Sequence, residues 1–372
     1  MKFSVVGDNP QTISLLQELA GSAEHSLVVG AISDRLARAV ETAQISMRLA
    51  ATPEDALLDS AVEAVIIGVD DTEESLRLCR AATQAEKHVV IVPPLECSPA
   101  FSFELHLILD ESRHAIVPWT GRFQLTDLPA NEKQLPLERS GILQIAAESL
   151  IDDSTVETRT IRILQGLDIV SASGFEYTQV TALESLAPDG SLLSLLITLN
   201  SQPTAETPAP PATLMIRPAL LNPSTEQELK VQRSNDPVQR FGISGRTPAA
   251  ARIDWLFKNR AACDKWMESF SVSLELAEAV KKSLRRRRTV DVHFDSGSER
   301  GVFKSQMTAM GCGVLTFMMF GMVAYLVIAQ LTSLPNWVLH VARALWIAPL
   351  VIFLLAQALL PVARDRSGSK QN

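Results

Sequence analysis

The N-terminal third of the chain alternates apolar runs with helical patterns, and that alternation constrains the fold more than any other feature. Phe3–Val6, Leu27–Ile32, Val62–Val69 and His88–Val92 read as strands, the third broken only by Glu63. Between them, Ile13, Leu15, Leu16 and Leu19 recur at helical spacing, and Arg35–Gln44 and Thr72 to about Ala85 also read as helices. A short strand near Met47–Ala50 precedes Thr52-Pro53-Glu54-Asp55, which combines an N-cap, a first-position proline and an acid in capping-box position. Strands that are continuously apolar are covered on both faces, so amphipathic helices between them imply a parallel sheet.

The first strand runs into Gly7-Asp8-Asn9-Pro10-Gln11-Thr12. In dinucleotide-binding turns, glycines permit a tight bend and let backbone N–H groups approach the pyrophosphate. Here only the first glycine position is kept. Asn9 tolerates unusual backbone angles but occupies phosphate space, Asp8 adds negative charge, and Pro10 suits the first helical position. Asp34, closing the second strand, has two readings: the acid that binds an adenosine ribose, or an ordinary turn or N-cap aspartate. Gly7, Asn9, Thr12 and Asp34 are thus the candidate cofactor contacts.

This order of elements, with Asp34, the run Val62-Glu63-Ala64-Val65-Ile66-Ile67-Gly68-Val69 and Lys87-His88-Val89-Val90-Ile91-Val92-Pro93-Pro94-Leu95, resembles the glucose–fructose oxidoreductase / inositol dehydrogenase (Gfo/Idh/MocA) family. The resemblance covers residues 1–123. It implies a Rossmann-like domain, NAD or NADP as cofactor, and a sugar- or cyclitol-like ligand. It also implies that the family's Glu-Lys-Pro motif falls on Val92-Pro93-Pro94. There the family lysine assists proton transfer, and Pro93 has neither an ionisable group nor an N–H. Lys87 opens the same strand, about 20 Å away at ~3.3 Å per residue, and does not substitute.

Residues 124–295 read as an α+β second domain. Strand candidates are Ile142–Ser149, Gly174–Leu183, Leu192–Leu199, Thr213–Arg217 and Glu228–Gln232, with a turn at Pro188-Asp189-Gly190 and a helix from Ser154 to Leu167. Late helices are expected over Ala250–Cys263 and Ser271–Arg286, then a strand over Thr289–Phe294. The family resemblance implies an open antiparallel sheet with helices on one face, which forms the substrate site and supports association of copies. It also implies an aspartate and a histidine on the first of these helices, and Thr155–Arg162 contains no histidine. Glu157 is either a base or a solvated residue; the latter is favoured because Thr160 and Ile161 follow it at helical spacing. The proline-rich segment 202–212 reads as an extended loop.

From Met307 to Leu331 no residue is charged, and Trp337–Val362 is again apolar apart from His340 and Arg343. Each stretch is of a length that spans a ~30 Å hydrocarbon layer. A two-helix transmembrane hairpin over 307–362 is therefore expected, after a linker at 296–306 and before a tail at 363–372. Lys281, Lys282, Arg285–Arg288, Arg300, Lys304, Arg364, Arg366 and Lys370 flank it. Basic flanks place both termini and the globular body on the cytoplasmic side, in contact with membrane lipid.

Of the 372 residues 47% are hydrophobic, enough for substantial cores, and the net charge of -8 argues against nucleic-acid binding. Cys79, Cys97, Cys263 and Cys312 form neither a disulfide framework nor a zinc motif, and the histidines form no HxxxH pair. Met1-Lys2 leads straight into the first strand, with no secretory apolar region. No catalytic or metal-binding residue is assigned. The leading expectation is a membrane-anchored homologue that has lost redox catalysis and serves as a binding or scaffold protein, retaining nucleotide binding. The alternative is an active NAD(P)-dependent oxidoreductase on a sugar- or cyclitol-like substrate.

Overall fold

The computed structural model describes residues 1–21, 25–31, 33–124, 142–151, 155–201, 209–218, 227–234, 238–243, 249–292 and 319–321. The first half alternates strand and helix: β1 (Lys2–Gly7), α1 (Pro10–Ala20), β2 (Ser26–Ala31), α2 (Asp34–Thr42), β3 (Arg48–Ala50), α3 (Pro53–Leu57), β4 (Ala64–Gly68), α4 (Thr72–Gln84), β5 (His88–Ile91), α5 (Pro99–Glu111) and β6 (Ile116–Pro118). A 3-10 turn follows at Gly121–Gln124. Next come β7 (Ile142–Ile151), α6 (Val156–Ser171), β8 (Gln179–Leu186), β9 (Leu192–Asn200), β10 (Ala212–Pro218), β11 (Gln227–Arg233), β12 (Gln239–Ile243), α7 (Ala249–Lys258), α8 (Arg260–Arg286) and β13 (Val290–Asp291).

Local chemistry sets where the helices begin. The side chain of Ser33 accepts from Leu36 N–H at 3.1 Å, that of Thr52 from Asp55 N–H at 3.2 Å, and that of Asp71 from Glu74 N–H at 2.7 Å. Each satisfies a helix donor that lacks an intrahelical partner. Pro10 and Pro53 stand in the first turns of α1 and α3.

The first sheet has the order β3-β2-β1-β4-β5-β6 with every pairing parallel. The second has the order β12-β11-β7-β10-β9-β8-β13. It is mixed, not antiparallel as expected, because β7 and β10 pair in parallel. The crossover through α6 leaves β8 aligned with β7, and the two reversals through β9 then bring β10 back alongside β7 in the same direction. Gly190, at φ +83, makes the bend between β8 and β9.

Each sheet has its own apolar core, and α8 serves both. Trp266 and Phe270, near its start, belong to the same core as Phe3, Ile66 and Phe101. Leu276 and Val280, further along, pack with Leu195, Ile197 and Leu229. This 27-residue helix, about 40 Å long, corrects the expected break before Ser271. Its actual start is marked by Asn259, whose side chain caps Ala262 N–H at 3.2 Å. The expected strand over Thr289–Phe294 is described only at Val290–Asp291.

Among the described residues no helix is long and apolar enough to cross a membrane. The expected placement of the chain on a membrane is therefore not borne out among the described residues. The longest helix among the described residues, α8, carries Asp264, Lys265, Glu268, Glu275, Glu278 and Lys281 along its length. The expected spans over 307–362 lie outside the described residues apart from 319–321, as does most of the 202–212 loop.

Glu18 on α1 is mostly buried, which pushes its carboxyl from 4.5 up to about 7. With the folded value above the unfolded one, its contribution to stability is fully present below about pH 4.5. It is lost as pH rises through about 7. Glu18→Gln is expected to melt with a flatter pH dependence across that window. Parallel melting curves for variant and parent would refute the assignment.

Candidate functional site

The turn between β1 and α1 is built by close backbone approach. Gly7 has φ +98, and a Cβ there would lie 2.2 Å from the Gly68 carbonyl oxygen. A Cβ on Gly68 would in turn lie 1.6 Å from Thr12 Oγ1. Both glycines are therefore required by β1–β4 packing and by the seating of α1. Thr12 is fully buried as part of this contact.

Asn9 occupies the position a second glycine would take. It is 1% exposed, and its N–H donates to Gly68 O at 3.1 Å. Its Oδ1 accepts from Gln11 N–H at 3.0 Å, and its Nδ2 donates to Asp70 Oδ1 at 2.6 Å. The Asn9 carbonyl takes the Thr12 and Ile13 N–H groups at 2.9 and 3.2 Å. The first-turn donors of α1 are thus satisfied by the chain itself, and Asp70 adds a carboxylate beside them. The structure brings Gly7, Asn9 and Thr12 together. Asp34 is exposed in the first turn of α2, beyond the carboxyl end of β2, the strand paired with β1; Ser33 and not Asp34 is the N-cap.

A cavity of about 200 Å³ opens at the carboxyl edge of the first sheet, between α1, the segment after β5, α6 and α8. Gln11, Pro93, Pro94 and Cys97 line one side; Arg159, Thr160 and Leu164 on α6 face Leu274, Ala277 and Lys281 on α8. Pro93 is buried in this wall, so the position that would hold an amine offers only aliphatic surface. Among the described residues no histidine lines the cavity. Glu157 is exposed and outside it, in keeping with a solvated role. Lys87 turns away at the far end of β5, donating to the carbonyls of Asp59 and Val62. Burial pushes the Cys97 thiol up to about 12, opposed by the Lys281 charge, so Cys97 is protonated at neutral pH.

The α6 wall is fixed by a buried anchor. A Cβ on Gly121 would lie 2.0 Å from the Gln165 carbonyl oxygen, so helix and turn touch backbone to backbone. Asp168 accepts from Arg122 N–H at 2.8 Å and from Arg122 Nε at 3.1 Å. The Arg122 guanidinium also lies 4.4 Å from the Trp266 ring. Gln165 Nε2 donates to Gln11 Oε1 at 2.9 Å, tying α6 to the cofactor-type turn.

The sequence alone did not single out Asp168, Cys97, Arg159 and Lys281 as parts of this region. For Lys281 a signal existed: Leu274, Ala277, Lys281 and Leu284 follow helical spacing and share one face. Among the described residues, no group of three His, Cys, Asp or Glu side chains is placed to hold a metal ion.

No protein-family model matches the chain, and no curated protein matches it. Solved structures do. An oxidoreductase from Agrobacterium radiobacter in complex with NAD+, L-tartaric acid and magnesium superposes with TM-score 0.59 at 12% identity, covering 78% of this chain and 98% of that one. Myo-inositol dehydrogenase from Lactobacillus casei, in complex with NAD(H) and myo-inositol, gives 0.57 at 13% identity over 80% and 98%. Scyllo-inositol dehydrogenase from the same organism, with NAD(H) and scyllo-inositol, gives 0.55 at 14% over 78% and 98%. At these identities the likeness shows the fold: a Rossmann-like parallel-sheet domain followed by a mixed-sheet domain, as in these oxidoreductases.

Proposed function

We propose that the chain is an oxidoreductase that uses NAD or NADP. The observation that carries this reading is the position of the cavity, at the carboxyl edge of the parallel sheet between the β1–α1 turn and the segment after β5. Ligands of open α/β sheets bind at that edge. The NAD complexes among the structural neighbours support the same reading, and favour it over a protein without redox activity. A bound dinucleotide would supply the hydride acceptor or donor. The chain's part is to seat it: Gly7 for the tight bend, Asp34 for the ribose hydroxyls, and the Gln11 N–H for a phosphate once Asn9 Oδ1 releases it.

The turn fits the cofactor in backbone path but presents Asn9 Oδ1 and the Asp70 carboxylate where phosphate oxygens need donors. Asp70→Asn is therefore expected to raise dinucleotide affinity about fivefold, since removing one partly screened like charge is worth ~1 kcal/mol. Titration of the full chain with NAD(H) and NADP(H), followed by nucleotide fluorescence, reads this directly. Affinity unchanged or weaker in Asp70→Asn would exclude a pyrophosphate at this turn.

Pro93 favours a second reading, a protein that binds the dinucleotide and a ligand without turnover. Substrate-dependent change in NAD(P)H absorbance decides between the two. Turnover supports the oxidoreductase, binding alone supports the second reading, and absence of binding refutes both.

A further inference from the structure

The cavity wall is poorly matched to a polyol. Pro93, Pro94, Leu164, Leu274 and Ala277 make most of it aliphatic. The polar groups that remain are largely engaged: Gln11 Oε1 accepts from Gln165 Nε2 at 2.9 Å, and the Thr160 hydroxyl donates to Val156 O at 2.8 Å. Hydroxyls brought into this space would leave buried donors unmet, which disfavours sugars and cyclitols.

Its charge points elsewhere. Both charged lining residues are cations, Arg159 and Lys281, and no carboxylate lines the cavity among the described residues. Arg159 is paired with Glu184 at 3.2 Å. Lys281 is exposed and has no ion pair or hydrogen bond among the described residues, and it stands on the same face of α8 as Leu274, Ala277 and Leu284. Val156, in the first turn of the 16-residue α6, also lines the cavity, and the acid of that turn, Glu157, is exposed and outside the lining. Cys97 stays protonated and contributes no negative charge.

We propose that this cavity binds a small organic acid with an apolar body, its carboxylate paired with Lys281 and its hydrocarbon against α6, α8 and the Pro93–Pro94 wall. The inference rests on reading this cavity as the ligand site of the proposed oxidoreductase, and it does not depend on dinucleotide binding. An aliphatic body suits the wall through non-directional burial, while the ammonium supplies the one directional, charge-assisted contact.

Calorimetric titration of the full chain with hexanoate, hexan-1-ol and myo-inositol tests it. Hexanoate is expected to bind at least tenfold tighter than hexan-1-ol, with no inositol binding. Lys281→Met, which keeps the aliphatic stem, is expected to lower hexanoate affinity about tenfold and leave hexan-1-ol unchanged; Lys281→Arg is expected to retain it. Equal affinity for acid and alcohol, preferential inositol binding, or an unaffected Lys281→Met variant would each overturn the proposal. NAD(H) is titrated in parallel. Hexanoate binding without dinucleotide binding would sink the oxidoreductase reading alone, and dinucleotide binding without hexanoate binding would sink this inference alone.

Discussion

On the proposed oxidoreductase reading, Pro93→Lys is expected to raise the rate of NAD(P)-coupled turnover about a hundredfold. A positioned proton carrier contributes about 10²- to 10⁴-fold, and the low end applies because no carboxylate or histidine among the described residues lines the cavity to orient the new amine. Position 93 directly follows Val92 at the end of the β5 segment and lies buried in the cavity wall, so a lysine there would reach into the ligand space. Burial, with Lys281 lining the same cavity, would lower the pKa of the new amine and bring it closer to neutrality. The exchange forfeits the rigidity of proline, a stability loss of about 0.4–1 kcal/mol that leaves the protein folded. The measurement compares initial rates of parent and variant at saturating dinucleotide. An unchanged rate, with dinucleotide affinity and melting temperature retained, would show that the missing amine does not limit the chemistry.

What the sequence reveals here follows from the range of the interactions involved. β1, β2, β4 and β5 were readable because strands buried on both faces write themselves as unbroken apolar runs, and Thr52-Pro53 marked its helix through local capping. α5 escaped notice because Phe101, Leu105, Ile108 and Leu109 are buried in a segment with little polar contrast, which hides helical periodicity. The parallel pairing of β7 with β10 depends on a crossover and two reversals, none of them encoded near either strand. α8 was read as two pieces because the residues it buries change from one core to the other part-way along. The cavity is harder still. Gln11, Pro93, Arg159 and Lys281 come from widely separated elements, and no motif spacing joins them. Lys281 stood out only as part of a basic run, while its place on an aliphatic stripe becomes meaningful once α6 lies opposite. Asn9 shows the reverse: its occupation of phosphate space was legible locally, but the Asp70 partner that holds it there was not.

Asp168→Ala is expected to destabilise the fold by about 3–5 kcal/mol, the usual cost of leaving one member of a buried ion pair behind. The Asp168 and Arg122 side chains are 1% and 3% exposed, so water cannot replace the lost carboxylate without opening the packing. The loss exceeds that of a surface pair because Asp168 satisfies a backbone N–H and the guanidinium together. The Arg122 carbonyl in turn accepts from Arg252 at 2.6 Å, so displacement of the turn strains α7 as well. Two buried guanidiniums would then face each other with less compensating negative charge; Arg252 already titrates low, near 10, because of its burial and the Arg122 charge. The double substitution Arg122→Met with Asp168→Leu should recover part of the stability, since apolar groups of similar volume demand no counter-charge while the backbone N–H of residue 122 still loses its acceptor. Urea unfolding of the single and double variants gives both numbers. A single-variant loss below about 1 kcal/mol would mean that the pair is solvent-accessible. Since α6 carries Asp168 and also Arg159 and Thr160 of the cavity wall, the single variant should lose ligand affinity along with stability. The anchor that holds the two sheets' helices together is then also what shapes the site.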